Sequence, residues 1–196
     1  MNFSKKTALL ICLSVTLNCF AQTTSSTEKN RWGFLLKSNV NFFQTNKSAV
    51  DAKSDIGWGL GNFYAINFSK LVGVDIEAHV NVEKHTLADK ANNFSLKLKD
   101  VNIAAPLKLR LKLYEELSLL SGIEYLYVAS KQKEELKLQK NNILALAGAG
   151  YAIKFKHFTA VPELSYRLGL NNALEKSPTH DYDLTRSAVT FGVKIM

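Results

Sequence analysis

The residues best suited to chemistry in this 196-residue sequence are a histidine among acids, a histidine–acid run and a glycine triplet. His79 stands two residues from Glu77 and from Asn81, so all three share one face of a strand. A base could be built there, yet no serine nucleophile motif accompanies it, and a hydrogen-bonded interior histidine is the simpler reading. His85 falls at a strand–loop border and His157 in a tight turn, where solvation explains both. His180-Asp181-Tyr182-Asp183 offers nitrogen and oxygen donors, but four adjacent residues rarely converge on one metal ion. Gly57-Trp58-Gly59-Leu60-Gly61 is glycine-rich like a phosphate loop, but its glycines follow a strand period and no helix comes after. The sequence therefore predicts no catalytic residue, no cofactor and no metal site.

The elements that carry these residues are strands. In Val72–Glu83 the apolar Val72, Val74, Ile76, Ala78, Val80 and Val82 alternate with Gly73, Asp75, Glu77, His79, Asn81 and Glu83. Period two gives one oily and one polar face. Similar patterns predict eight strands, near Arg31–Phe43, Ile56–Ser69, Val72–Lys84, Phe94–Lys112, Leu117–Ser130, Leu138–Phe155, Phe158–Leu170 and Thr185–Met196. Short connections at Lys70-Leu71, Tyr114-Glu115-Glu116 and Lys156-His157 alternate with longer ones at Gln44–Asp55, His85–Asn93, Lys131–Lys137 and Asn171–Leu184. That rhythm predicts an all-β fold: an eight-stranded antiparallel up-and-down transmembrane barrel, with short periplasmic turns and longer extracellular loops. The charge run Lys131-Gln132-Lys133-Glu134-Glu135 reads as a solvated loop tip.

Alternation does not say which face is inside; a lipocalin-type barrel would turn the oily face inward. Volume decides. An eight-stranded barrel barely accommodates its own side chains. Gly57, Gly59, Gly61, Gly148 and Gly150 fall on the polar phase, while Leu, Phe and Tyr crowd the other. The polar phase also carries complementary charges: Asp75, Glu77, Glu124 and Glu163 against Lys108, Arg110, Arg167, Arg186 and Lys194. Buried charges survive when paired, so these nine are expected to form a structural network in a narrow lumen, with the oily face toward lipid. Aromatics on the oily phase, among them Trp32, Trp58, Tyr125 and Tyr166, suit interfacial girdles. Leu120, Leu126 and Val128 break the pattern, and a phase switch between Leu98 and Val101 suggests either a bulge at Lys99-Asp100 or a strand extending past the bilayer. Pro106 and Pro162 lack a ladder donor and predict local distortion.

The N-terminus reads as a secretory leader: Lys5 and Lys6, an apolar core from Ala8 to Leu17, and small residues up to Ala21. Residues 1–21 are thus expected to be removed, 22–30 to be a flexible lead-in and 31–196 to be the barrel. Both cysteines, Cys12 and Cys19, lie in the leader, which excludes disulfides and thiol chemistry from the mature chain. Cys19 follows Leu17-Asn18, a poor lipobox. The basic balance, formally +8 before loss of Lys5 and Lys6, is spread along the chain. It fits anionic lipid headgroups and lumen pairing better than nucleic acid.

Several fragments resemble the PorT-like outer-membrane β-barrel family of the Bacteroidota. They are Asn102–Arg110 (NIAAPLKLR), Ala147–Tyr151 (AGAGY), Leu164–Asn172 (LSYRLGLNN) and Val189–Ile195 (VTFGVKI), all on predicted strands. The resemblance implies an eight-stranded membrane barrel inserted by the barrel assembly machinery; it does not transfer the founding member's role in type IX secretion. Family chains usually end in an aromatic, and this one ends in Met196, so recognition would rest on Phe191 and Ile195.

The function expected is non-enzymatic: an outer-membrane scaffold presenting loops, in contact with membrane lipid and open to a glycan, another envelope protein, or a secretion or surface assembly. The competing expectations are a small-solute channel and a periplasmic lipid-binding barrel.

Overall fold

Each segment with a two-residue apolar period forms a strand. The computed structural model describes residues 30–45, 50–53, 55–89, 94–130, 138–174 and 183–196. Among them are β1 (Arg31–Thr45), β2 in two pieces (Val50–Lys53 and Asp55–Asn67), β3 (Val72–Asp89), β4 (Phe94–Lys112), β5 (Leu117–Val128), β6 (Asn141–Tyr151, continued by Ile153–Lys154), β7 (Thr159–Gly169) and β8 (Leu184–Ile195). Consecutive strands pair antiparallel, and β8 also pairs with β1, closing an eight-stranded barrel.

The register fixes the barrel's shape. Following partners from Trp32 through Tyr64, Ile76, Leu107, Ile123, Ala145, Leu168 and Ser187 returns to β1 at Phe42, ten residues further on. With that stagger and ordinary strand spacings, the strands tilt about 40° and the interior is just wide enough for side chains.

Three tight turns sit at one end. Ser69 Oγ accepts from the Leu71 and Val72 amides at 3.2 and 3.0 Å, fixing the β2–β3 turn. The Leu113 amide donates to the Leu117 carbonyl at 2.9 Å, and the Phe155 amide to that of Phe158 at 2.9 Å. Met196 exchanges backbone hydrogen bonds with Thr159 at the same end. All three turns lie where the sequence predicts them.

Elsewhere the structure departs from the expected elements. β3 and β4 continue as a paired hairpin to Asp89 and Phe94, through part of the predicted loop. A strand rising beyond the membrane needs no oily face, so its sequence loses the alternation that would reveal it. Pairing runs unbroken through Lys84↔Lys99 and Glu83↔Asp100, so no bulge stands there; the strand simply extends. The extra residue lies on β2 instead. Lys53 faces Thr86 while Trp58 faces Val82, a step of five residues along β2 against four along β3. β6 starts at Asn141, not at Leu138, which makes an isolated bridge with Leu174. Each proline leaves a gap in one ladder. Pairing skips from Ile76↔Leu107 to His79↔Ala104 beside Pro106, and from Gly150↔Glu163 to Ile153↔Ala160 beside Pro162.

The oily face points outward. Ile76 is 47% exposed and its neighbour Glu77 only 2%. Trp32, Trp58, Leu107, Ile123, Tyr166 and Phe191 are likewise exposed, forming the belt a lipid-facing barrel presents. A lipocalin arrangement is the reverse of this one.

Candidate functional site

The lumen holds the molecule's chemistry as a network of buried charges. Its turn-end half centres on Lys194, brought in by β8. Lys194 Nζ lies 2.7 Å from Asp75 Oδ2, 2.9 Å from Glu77 Oε1 and 2.7 Å from Glu163 Oε1. Lys108 Nζ meets the same two glutamates, at 2.6 Å from Glu77 Oε1 and 2.9 Å from Glu163 Oε2. Arg110 Nε donates to Asp75 Oδ1 at 3.1 Å, and its Nη2 donates to Asn67 Oδ1 at 2.8 Å. Lys37 Nζ lies 3.4 Å from Glu77 Oε2 and 3.1 Å from His79 Nε2. His79 is thus buried against a lysine and a glutamate.

The loop-end half centres on Glu83. Arg167 Nη2 donates to its Oε1 at 2.9 Å, Arg186 Nη1 to its Oε2 at 2.8 Å, and Asn102 Nδ2 to Oε2 at 3.0 Å. Arg167 Nη1 reaches Glu124 Oε1 at 2.7 Å, and Arg186 Nη2 stands 3.5 Å from Asp100 Oδ2. Taken together, Lys37, Lys108, Arg110, Arg167, Arg186 and Lys194 face Asp75, Glu77, Glu83, Asp100, Glu124 and Glu163, so the network's formal charges cancel.

The nine residues singled out from the sequence all lie in this network. Lys37, Glu83 and Asp100 join them. Glu83 was visible on the polar phase of β3, but only the register shows that Arg167 and Arg186 reach it. Two aromatics also point inward. Lys194 Nζ sits 5.0 Å from the Phe63 ring centre and the Arg186 guanidinium 5.5 Å from that of Phe43. Both rings belong to the polar phase, beside Gly61 and Asn41.

The lumen is not charged throughout. Leu126, Val128 and Leu144 form an apolar cluster on β5 and β6. Leu138, Ala173, Leu174 and Leu184 are buried at the loop end of the same side. Opposite, Asn39, Asn41, Asn81 and Thr190 are buried with side-chain polar atoms that find no hydrogen-bond partner among the described residues. At Gly61 a Cβ would strike the Ala78 carbonyl, so that position must lack a side chain, and at Gly59 a Cβ would displace the Asn81 amide. Residues 1–29, which include the expected leader 1–21 and most of the expected lead-in 22–30, the run 131–135 and His180-Asp181-Tyr182 lie outside the described residues, and His157 is exposed in its turn.

No family model matches the chain, and no curated protein matches it. Solved structures do. The outer membrane protein OprG from Pseudomonas aeruginosa aligns with a TM-score of 0.51 at 13% identity, over 85% of this chain and 91% of that one. Ail, the attachment invasion locus protein of Yersinia pestis, aligns at 0.44 and 13%, over 86% and 99%. The outer membrane protein AlkL aligns at 0.44 and 9%, over 89% and 92%. At such identities the OprG match shows the fold: an outer-membrane-type eight-stranded barrel.

Proposed function

We propose that this chain is an integral outer-membrane barrel without enzymatic activity, whose lumen is plugged by its own ion pairs and whose specificity lies in the long connections. One observation carries this reading: a closed barrel buries a charge-balanced network and exposes its apolar face. Lipid satisfies the outside, and each charge inside has an opposite charge beside it. No chemistry is left over in the network for catalysis. In this reading the leader is cleaved after Ala21, the barrel assembly machinery inserts the chain, the turns face the periplasm and the loops face outward. The fragment resemblance supports membership of the PorT-like family. Fractionation tests the location: the protein should stay with membranes until detergent is added. Recovery in the soluble periplasmic fraction would overturn the reading.

A second reading, a narrow channel, is favoured by the unsatisfied amides of Asn39, Asn41 and Asn81, which line one wall of the lumen. The ion pairs of Lys194 and Lys108 block the axis below them. Planar-bilayer recording separates the two: a plugged barrel gives no steady single-channel current, and a channel does.

A further inference from the structure

At the turn end the barrel opens into a cavity of about 500 Å³. Its floor contains Asp75, Glu163, Lys194 and Arg110, whose charges are already paired with one another. Its walls and rim add Arg31, Lys70 and Lys154, the last faced at the rim by Glu115 and, 3.9 Å away, by Glu116. Glu115 is 85% exposed and 3.8 Å from Lys154, so it neutralises little. Lys70 is exposed, with no ion pair among the described residues, and the Arg31 guanidinium reaches the sulfur of Met196 at 3.6 Å. The same mouth displays Leu113 and Tyr114, which are 51% and 73% exposed.

The mouth is therefore a concave basic site with an apolar and aromatic edge. We propose that it docks an acidic peptide segment, with interspersed apolar residues, belonging to another envelope protein. Volume, charge and access all point that way. A cavity of roughly 300–1,000 Å³ suits a ligand much larger than an inorganic anion. Surplus positive charge draws acidic side chains, and exposed Tyr114 supplies the kind of anchor that peptide recognition uses. The opening lies along the barrel axis, inside the ring of turns. Lipid headgroups lie outside that ring and would have to climb over it. Only the assignment of the partner to the periplasm rests on the proposed orientation.

The test uses the full barrel in nanodiscs of zwitterionic phospholipid. A fluorescein-labelled hexapeptide of alternating Glu and Leu is titrated and followed by anisotropy, with a Lys/Leu hexapeptide as control. The acidic peptide should bind, the basic one should not, and salt should weaken the binding. R31E/K70E should lower affinity on the order of tenfold, since two close charges are reversed. K84E/K99E, two exposed lysines paired at the opposite end, should leave it unchanged. No binding to the unaltered barrel, equal binding by R31E/K70E, or loss confined to K84E/K99E would overturn the proposal. So would displacement of the peptide by inorganic phosphate or by phosphatidylglycerol in the disc, which would assign the mouth to small anions or lipid. Orientation is tested separately. Lys70→Cys in intact cells should resist an impermeant maleimide; labelling would overturn the periplasmic assignment and leave the binding result standing.

Discussion

The two halves of the lumen solve the same electrostatic problem with different chemistry. At the turn end, lysine ammoniums are shared among carboxylates: Lys194 and Lys108 both hold Glu77 and Glu163. At the loop end, two arginine guanidiniums converge on one acid, with Arg167 on one oxygen of Glu83 and Arg186 on the other, while each also faces an acid of its own, Glu124 and Asp100. A lysine is a point charge with rotatable donors, whereas arginine's planar fork fixes its direction. The turn-end cluster therefore has redundancy: losing one member leaves neighbours able to compensate. The loop-end cluster has a keystone.

Glu83→Ala tests this difference most sharply. It strips Arg167 and Arg186 of a shared partner while leaving both buried. Removing one side of a buried pair typically costs about 3–5 kcal/mol. We expect a loss in that range, read from denaturant unfolding of the barrel in lipid vesicles through the fluorescence of Trp32 and Trp58. A loss smaller than that caused by Lys194→Met would reverse the ranking of the two clusters.

Lys194→Met comes next. It leaves Asp75 with Arg110, and Glu77 and Glu163 with Lys108, so the expected loss is near the lower end, about 3 kcal/mol. Adding Lys108→Met should cost more than the sum of the two single changes, because each lysine covers for the other. A double-mutant cycle measures this coupling, and strict additivity would show that the two lysines act independently.

How far these clusters could be read from the sequence depended on what each residue's neighbours required. On β4, Asn102, Ala104, Pro106, Lys108 and Arg110 stand on the phase opposite Val101, Ile103, Ala105, Leu107 and Leu109, because lipid imposes a strict alternation on the outward positions. On β1 the lumen phase is mixed: Leu35 and Phe43 lie there with Lys37, Asn39 and Asn41, so alternation marks the strand but not what each inward position will hold. The lumen makes no uniform demand: it takes a leucine beside Phe63, a lysine beside Glu77 or an amide beside a glycine. The partners of Glu83 are set by register across strands distant in sequence. Composition carries no trace of such long-range pairing.

The apolar part of the lumen offers a comparison of its own. Leu144 is fully buried against Leu126 and Val128, whereas Leu107 is 47% exposed on the outer face. Truncating Leu144 leaves a hole that the rigid barrel cannot refill, and Leu144→Ala should cost about 2–4 kcal/mol. Lipid chains can close over the gap made by Leu107→Ala, so its cost should stay near the transfer value of the lost methylenes, about 1–2 kcal/mol. Equal losses, measured by the same unfolding experiment, would mean that the lumen cluster relaxes as freely as lipid does.

The smallest effect sets the scale for the others. Lys154 faces Glu115 and Glu116 at 3.8 and 3.9 Å, and its side chain is 59% exposed. By residue type these contacts match those of Lys194, but water screens them and the side chain gives up entropy to hold either partner. Lys154→Ala should therefore shift stability by less than about 0.5 kcal/mol, and added salt should erase even that. Lys194→Met, shielded from solvent, should keep its full effect at high salt. If salt moved both variants alike, bulk ions would have access to the lumen cluster, and the case for a plugged barrel would give way to the channel reading.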